Sequence, residues 1–254
     1  MADAQPPLIL AERVGDVLWL TLNRPAQLNA VSMAMFKALP YDTLKDYAMV
    51  TTIASFSAGV LVAPESPVKT TKELIALARS SGKFNSATIA LGTAQHLAAE
   101  LFKSMAGLNH THVPFNNTGA LIAALRGGDV QVAFEFLPPV LGQIRAGALR
   151  VVAVTSKTRF APLPGVPTLD ESGLPGYATD SWFGLVATAG TPADVLSKLN
   201  ADTLRSMNQA DVRERLAAQG LFVKTSTPAE LSALMQSELV RWAKVIKSAG
   251  IKIE

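Results

Sequence analysis

The sequence predicts an α/β fold preceded by a β-hairpin. Three observations carry this reading. From Phe36 onward, short apolar runs alternate with amphipathic stretches that begin at capping residues. Glycines close those stretches. Upstream, two apolar runs flank a Gly-Asp turn. A length of 254 residues suits one large domain or two modest lobes.

The elements follow in order. Leu8 to Leu22 reads as a hairpin turning at Gly15-Asp16, and Asn23-Arg24-Pro25 stops its second strand, because proline has no N–H for a ladder. Thr70-Thr71-Lys72-Glu73 is a capping box that opens a helix with Leu74, Leu77 and Ala78 on one face and Gly82 at its end. Gly92-Thr93 opens a second helix, with Leu97, Leu101 and Met105 inward and Gly107 as the stop. His110 to Phe115 is a strand, Thr118 to Arg126 a helix, Gly127-Gly128-Asp129 a turn and Val130 to Phe134 a strand. Together they predict a βαβ unit crossing to a parallel neighbour. Pro138 to Ala146 is a helix closed by Gly147. Leu149 to Thr155 is a strand of parallel type, apolar on both faces. After a proline-rich connector at 161–167, Trp182 to Ala187 is a strand again. Thr191-Pro192-Ala193-Asp194 and Thr227-Pro228-Ala229-Glu230 predict two helix starts of one design: a threonine cap, proline where its missing N–H costs nothing, and an acid at the positive end. Val195, Leu199 and Leu204, then Leu231, Leu234, Met235, Leu239, Trp242 and Ile246, are their expected core stripes.

Composition removes several functions. Lysine and arginine total 23 against 20 acids, a net +3 with no basic block, so no nucleic-acid partner is expected. With no cysteine there is no disulfide, thiolate metal site or cysteine nucleophile. The best apolar run, Ile53 to Ala63, is too short and too interrupted to span a bilayer. The opening Met-Ala-Asp-Ala-Gln-Pro-Pro lacks the features of a secretory signal, so the chain as written is expected to be cytoplasmic. No hydrolase elbow, phosphate loop, dinucleotide fingerprint or zincin motif occurs, so no catalytic residue, cofactor or metal is expected. His96, His110 and His112 have no acid or cysteine beside them and read as partly buried, hydrogen-bonding imidazoles rather than metal ligands. Glu135, set between Phe134 and Phe136, reads either as an exposed strand end or as a ligand group.

Two loops can receive a carboxylate, because helix N-termini offer unpaired N–H groups at the carboxyl ends of strands. Ser86 to Thr93 supplies Thr88, Gly92 and Thr93 and leads into the helix of His96. Phe115 to Gly119 supplies Asn117 and Thr118. The alternative is ordinary capping by Thr93 and Thr118.

From Phe36 to Glu254 the chain resembles the substrate-binding proteins of tripartite tricarboxylate transporters, the Bug family. The matching stretches are Leu39 to Tyr47, Gly92 to Phe102, His112 to Phe115, Ile144 to Gly147, Val152 to Ser156, Pro164 to Thr168, Ser181 to Leu185 and Asp211 to Leu216. The resemblance implies a periplasmic-binding-protein-like, two-lobe α/β fold that captures a small organic carboxylate, hands it to a membrane permease and catalyses nothing. Trp182 joins Thr88, Gly92, Thr93, His96, Asn117, Thr118 and Glu135 as a candidate ligand-binding residue, and the resemblance makes Ile53 to Ala63 and Trp182 to Ala187 the crossing strands. It implies a first lobe from 36–64 and 179–254 and a second from 65–178, with a periplasmic location.

This sequence also departs from the family. Its opening β-α-β and Pro-Gly-Gly loop have no counterpart here, which implies a truncated first lobe. Ala90-Leu91-Gly92-Thr93-Ala94 stands for the usual Gly-Asn-Gly-Thr-Ser, and Glu135-Phe136 for a common Asp-Asn. A less polar pocket follows. Residues 8–32, within an arm at 1–35, resemble the start of the crotonase (enoyl-CoA hydratase/isomerase) superfamily through Glu12 to Asp16, Thr21 to Pro25 and Asn29 to Ser32. That likeness offers an alternative function on an acyl-CoA, although nothing further along matches the catalytic half. Bare sheet edges in the reduced lobe would drive a homodimer unless the hairpin docks over them.

Overall fold

The computed structural model describes residues 9–14, 17–22 and 42–248. β1 (Ile9–Val14) and β2 (Val17–Leu22) pair antiparallel, Val14 opposite Val17, as the hairpin reading requires. The Gly15-Asp16 turn and the Asn23-Arg24-Pro25 stop lie outside the described residues. The two strands form a sheet of their own and share no ladder with the larger sheet, so the expected docking by strand pairing is not made among the described residues.

The larger sheet is organised by β3 (Tyr47–Val62), sixteen residues long and so roughly 50 Å from end to end. The sequence predicted a crossing strand at Ile53 to Ala63, and it begins six residues earlier. The first part of β3 ladders with β8 (Asp180–Thr188) and briefly with β9 (Phe222–Val223). Its second part lies between β6 (Val132–Phe136) and β7 (Arg150–Val154). β4 (Asn85–Ile89) and β5 (Thr111–Phe115) complete the order β5-β4-β6-β3-β7.

Two strand expectations are corrected here. β5 and β6 are parallel but not neighbours, because β4 pairs with both and lies between them. β7 is buried as predicted, but its ladder partner β3 runs antiparallel to it. An apolar run reports burial on both faces, not the direction of a distant partner.

The period of two along β3 divides the core. Val60 and Val62 face one side with Phe134 of β6, covered by α1 (Thr71–Ser80) and α2 (Ala94–Met105) through Leu74, Ala99 and Phe102. Leu61 and Ala133 face the other side, under α3 (Thr118–Gly127) and α4 (Leu137–Arg145) through Leu121, Leu125 and Val140. Gly59 is fixed by this packing, since a Cβ there would come within 2.7 Å of the Leu137 side chain.

Local signals set most helix ends. The Thr70–Glu73 box forms, with Glu73 N–H donating to Thr70 Oγ1 at 3.2 Å and Thr70 N–H to Glu73 Oε2 at 3.1 Å; the helix closes at Ser81, one residue before Gly82. Gly128 ends α3 at φ +84°, a conformation that glycine adopts without steric cost. The Thr227–Glu230 box opens α7 (Pro228–Ser248), with Glu230 N–H donating to Thr227 Oγ1 at 3.2 Å. Its twin does not form. α5 (Ala193–Met207) has no side-chain cap, and the Thr191 hydroxyl donates to Thr188 O at 2.8 Å instead.

The C-terminal stripes also need correction. α5 and α6 (Ala210–Ala218) bury no residue, and Val195, Leu199 and Leu239 are exposed; Leu231 is fully buried. Phe183 and Val186 on β8 are exposed as well. An apolar periodicity predicts a face, but the face is buried only where another layer lies over it.

Candidate functional site

The parallel strands β4, β5 and β6 all end on the side of the sheet where α2, α3 and α4 begin. Thr93 caps α2: its hydroxyl accepts the His96 N–H at 3.3 Å and donates to Ala90 O at 3.1 Å and to Ile89 O. Asn117, not Thr118, caps α3, its side chain accepting the Ala120 N–H at 2.9 Å. The Thr118 hydroxyl is turned inward instead.

These helix starts meet on an anion the chain itself supplies. Glu135 is 1% exposed, which excludes the exposed strand end. Its Oε1 accepts from Gln95 Nε2 at 3.1 Å and Phe136 N–H at 2.7 Å, and its Oε2 accepts from Thr118 Oγ1 at 3.1 Å. Burial raises its carboxyl above the usual range, against those three hydrogen bonds.

Gly92 is also engaged. Its N–H donates to Nδ1 of His96 at 3.1 Å, so that nitrogen is unprotonated and the proton sits on Nε2, 3.7 Å from Glu100 Oε1. Glu100 Oε1 is also 3.3 Å from His112 Nε2, and His112 Nδ1 bonds the Ser86 hydroxyl. Polar contacts, some of them longer than hydrogen bonds, thus lead from the 90–93 loop through α2 to β5 and β4. Burial, with His112 alongside, pushes His96 down to about 4. His110 is pushed to about 4 by the same causes, and neither of its ring nitrogens has a hydrogen-bond partner, unlike the bonded imidazoles expected. Burial raises the Glu100 carboxyl, but the His112 hydrogen bond and the neighbouring positive groups outweigh it, and the net direction is down. Glu100 was missed in sequence, although four residues after His96 is helical contact spacing. Among the described residues no group of three or more histidines and acids could hold a metal ion.

Thr88 is fully buried and its hydroxyl has no partner. Ala90, where glycine is usual in the resembling family, sits at φ +40° and is the one described non-glycine residue with positive φ.

Beside this network lies a cavity of about 250 Å³ lined by Ala94 at the start of α2, Phe136 at the end of β6, Ala58 of β3, and Trp182 and Asp180 of β8. Glu238 and Trp242 of α7 close it. The Trp182 ring lies across Gly184, where a Cβ would approach it to 3.0 Å. Of the first-turn amides of α2, those of His96 and Leu97 are used by Thr93, while those of Ala94 and Gln95 take no part in the cap. Of the predicted set, Trp182 lines the cavity and Thr93 and His96 shape the adjoining helix start. Glu135 and Thr118 bond each other, with Asn117 capping the Thr118 helix, and Thr88 and Gly92 do not line the cavity. Asp180, Glu238 and Trp242 come from segments far from the two loops and carried no local signal.

Comparison with known proteins adds the following. A family model described as tripartite tricarboxylate transporter family receptor matches residues 20–251. BugT of Bordetella pertussis is 30% identical over 245 residues, covering 96% of this chain and 75% of its own length. A protein of R. palustris solved with adipate is 33% identical, with TM-score 0.73 over 83% of this chain and 71% of that one. MatC from Rhodopseudomonas palustris, solved with malate, is 30% identical, with TM-score 0.70 over 84% and 74%. The chain spans 65% to 75% of the length of the first curated relatives it matches. The BugT match leaves only 4% of the chain outside it, so it takes in most of residues 1–35. The crotonase resemblance of that arm gains no support from any of these matches, and neither does an acyl-CoA function.

Proposed function

The chain belongs to the tripartite tricarboxylate transporter receptor family, and from that premise we propose that it binds a small organic carboxylate in the cavity beneath Trp182. The observation that carries this is the meeting of three elements around one space: the start of α2 at Ala94, the end of β6 at Phe136 and the β8 strand at Trp182. The amides of Ala94 and Gln95 and the positive helix end provide the attraction for a carboxylate. Adipate and malate, the ligands of the two solved relatives, set the chemical class. Thr93 holds the loop, and His96 and Glu135 support it from behind.

Receptors of this family are periplasmic binding proteins, and a cytoplasmic location draws no support from the relatives. Periplasmic capture with delivery to a membrane permease is therefore part of the proposed reading. In this reading residues 36–64 and 179–254 belong to the first lobe and 65–178 form the second, with β3 and β8 joining them. The outer edge of β8 has no ladder partner among the described residues, and Phe183 beside it is 51% exposed, which supports pairing between two copies.

Thermal unfolding with adipate, malate, succinate and an aromatic acid tests the reading. A bound acid at about 100 times its Kd adds about 2.7 kcal/mol of stability. A flat response across the panel contradicts it.

A further inference from the structure

The cavity beneath Trp182 presents a difficulty for any doubly charged acid. Among the described residues, no lysine, arginine or histidine lines it, whereas two carboxylates do, Asp180 and Glu238. Glu238 is already satisfied: Trp242 Nε1 donates to its Oε2 at 2.7 Å, and Arg241 pairs with its Oε1 at 3.3 Å. Asp180 makes no ion pair within 4 Å; it accepts a hydrogen bond from the Lys157 N–H, and Lys224 and Arg241 act on it through space. A ligand carboxylate at the start of α2 therefore leaves its far end near a carboxylate that no cation pairs at contact distance.

Two further observations indicate what that far end is. Thr179, 6% exposed, lines the same cavity, and its hydroxyl makes no hydrogen bond of normal geometry; its polar neighbour is the Tyr177 hydroxyl, which donates to Ala98 O at 2.8 Å. A buried hydroxyl without a partner is costly unless an occupant supplies one. Phe136 and Trp182 present aromatic surface, which attracts a cationic nitrogen.

We propose that the ligand is a small zwitterion, its carboxylate on the α2 amides and its ammonium group between Asp180, Thr179 and the Trp182 ring, with Asp180 as the specificity-determining residue against dicarboxylates. This rests on the carboxylate-binding reading above and narrows it.

Calorimetric titration with a matched pair, 5-aminopentanoate and adipate, tests the proposal, because the two differ only in carrying an ammonium or a carboxylate at the far end. The amino acid is expected to bind at least tenfold more tightly. Asp180→Asn is expected to erase most of that preference by weakening the amino acid and strengthening adipate. Adipate binding as tightly as its partner, or a preference unchanged in Asp180→Asn, overturns the zwitterion while leaving carboxylate binding intact. If neither molecule binds and no other acid of the panel does, both readings fall together.

Discussion

Acid should loosen this fold through two histidines. In the folded chain His96 and His110 have pKa values of about 4, against 6.5 for an unperturbed histidine. Between those values the unfolded chain takes up the protons and the folded chain does not. Stability therefore falls as pH drops through that window, by at most about 1.4 kcal/mol per pH unit for each histidine. Glu135, whose carboxyl burial raises, acts in the opposite sense, because its proton is held by the folded state. His110 separates these contributions. It is 8% exposed, lies edge-on to Phe84 and His112 at 5.0 Å, and has no partner on either ring nitrogen. His110→Leu removes one titrating group and two buried polar atoms, each costing on the order of 1 to 3 kcal/mol when unpaired. Against the lost ring contacts, a net gain of about 1 kcal/mol is expected at pH 7.5, with roughly half the slope of stability against pH between 6 and 4.5. Urea titrations at a series of pH values, followed by tryptophan fluorescence, measure both. An unchanged slope would refute the assignment of His110 as a neutral, buried, unpartnered group.

Three further changes have defined outcomes. Ala90→Gly relieves a left-handed backbone at an alanine and should stabilise the chain by about 1 kcal/mol, read as a rise in denaturation midpoint; no gain would place the strain elsewhere. Glu135→Gln removes the raised carboxyl. Because the wild type loses stability as pH rises from the ordinary carboxyl value of 4.5 through that group's raised folded pKa, the variant should gain on wild type as pH rises above 4.5, and parallel pH curves would contradict this. Trp182→Ala should weaken carboxylate binding at least tenfold while changing the unfolding midpoint little, since the ring is only partly buried; undiminished affinity would move the site.

What the sequence made legible was local. Thr70 with Glu73, Thr93 before Ala94 and Gly128 after α3 each act within a few residues, and each appears where its chemistry predicts. What it hid was tertiary. Nothing in Leu149 to Thr155 reveals that its neighbour is the antiparallel β3, and nothing in β5 or β6 shows β4 between them. The stripe of Val195 and Leu199 is as apolar as that of Leu74, yet only the latter has a layer over it. The site divides the same way. The two loops were recognisable as helix starts, but that Glu135 would fill their junction, or that Asp180 and Glu238 would meet across a cavity, depended on segments brought together from three parts of the chain.

Diffraction from crystals grown with adipate or 5-aminopentanoate would locate the bound acid relative to the start of α2. A carboxylate is expected at hydrogen-bond distance from the amides of Ala94 and Gln95, with the rest of the molecule under the Trp182 ring. Density for the ligand elsewhere, with that helix start facing only solvent, would contradict it.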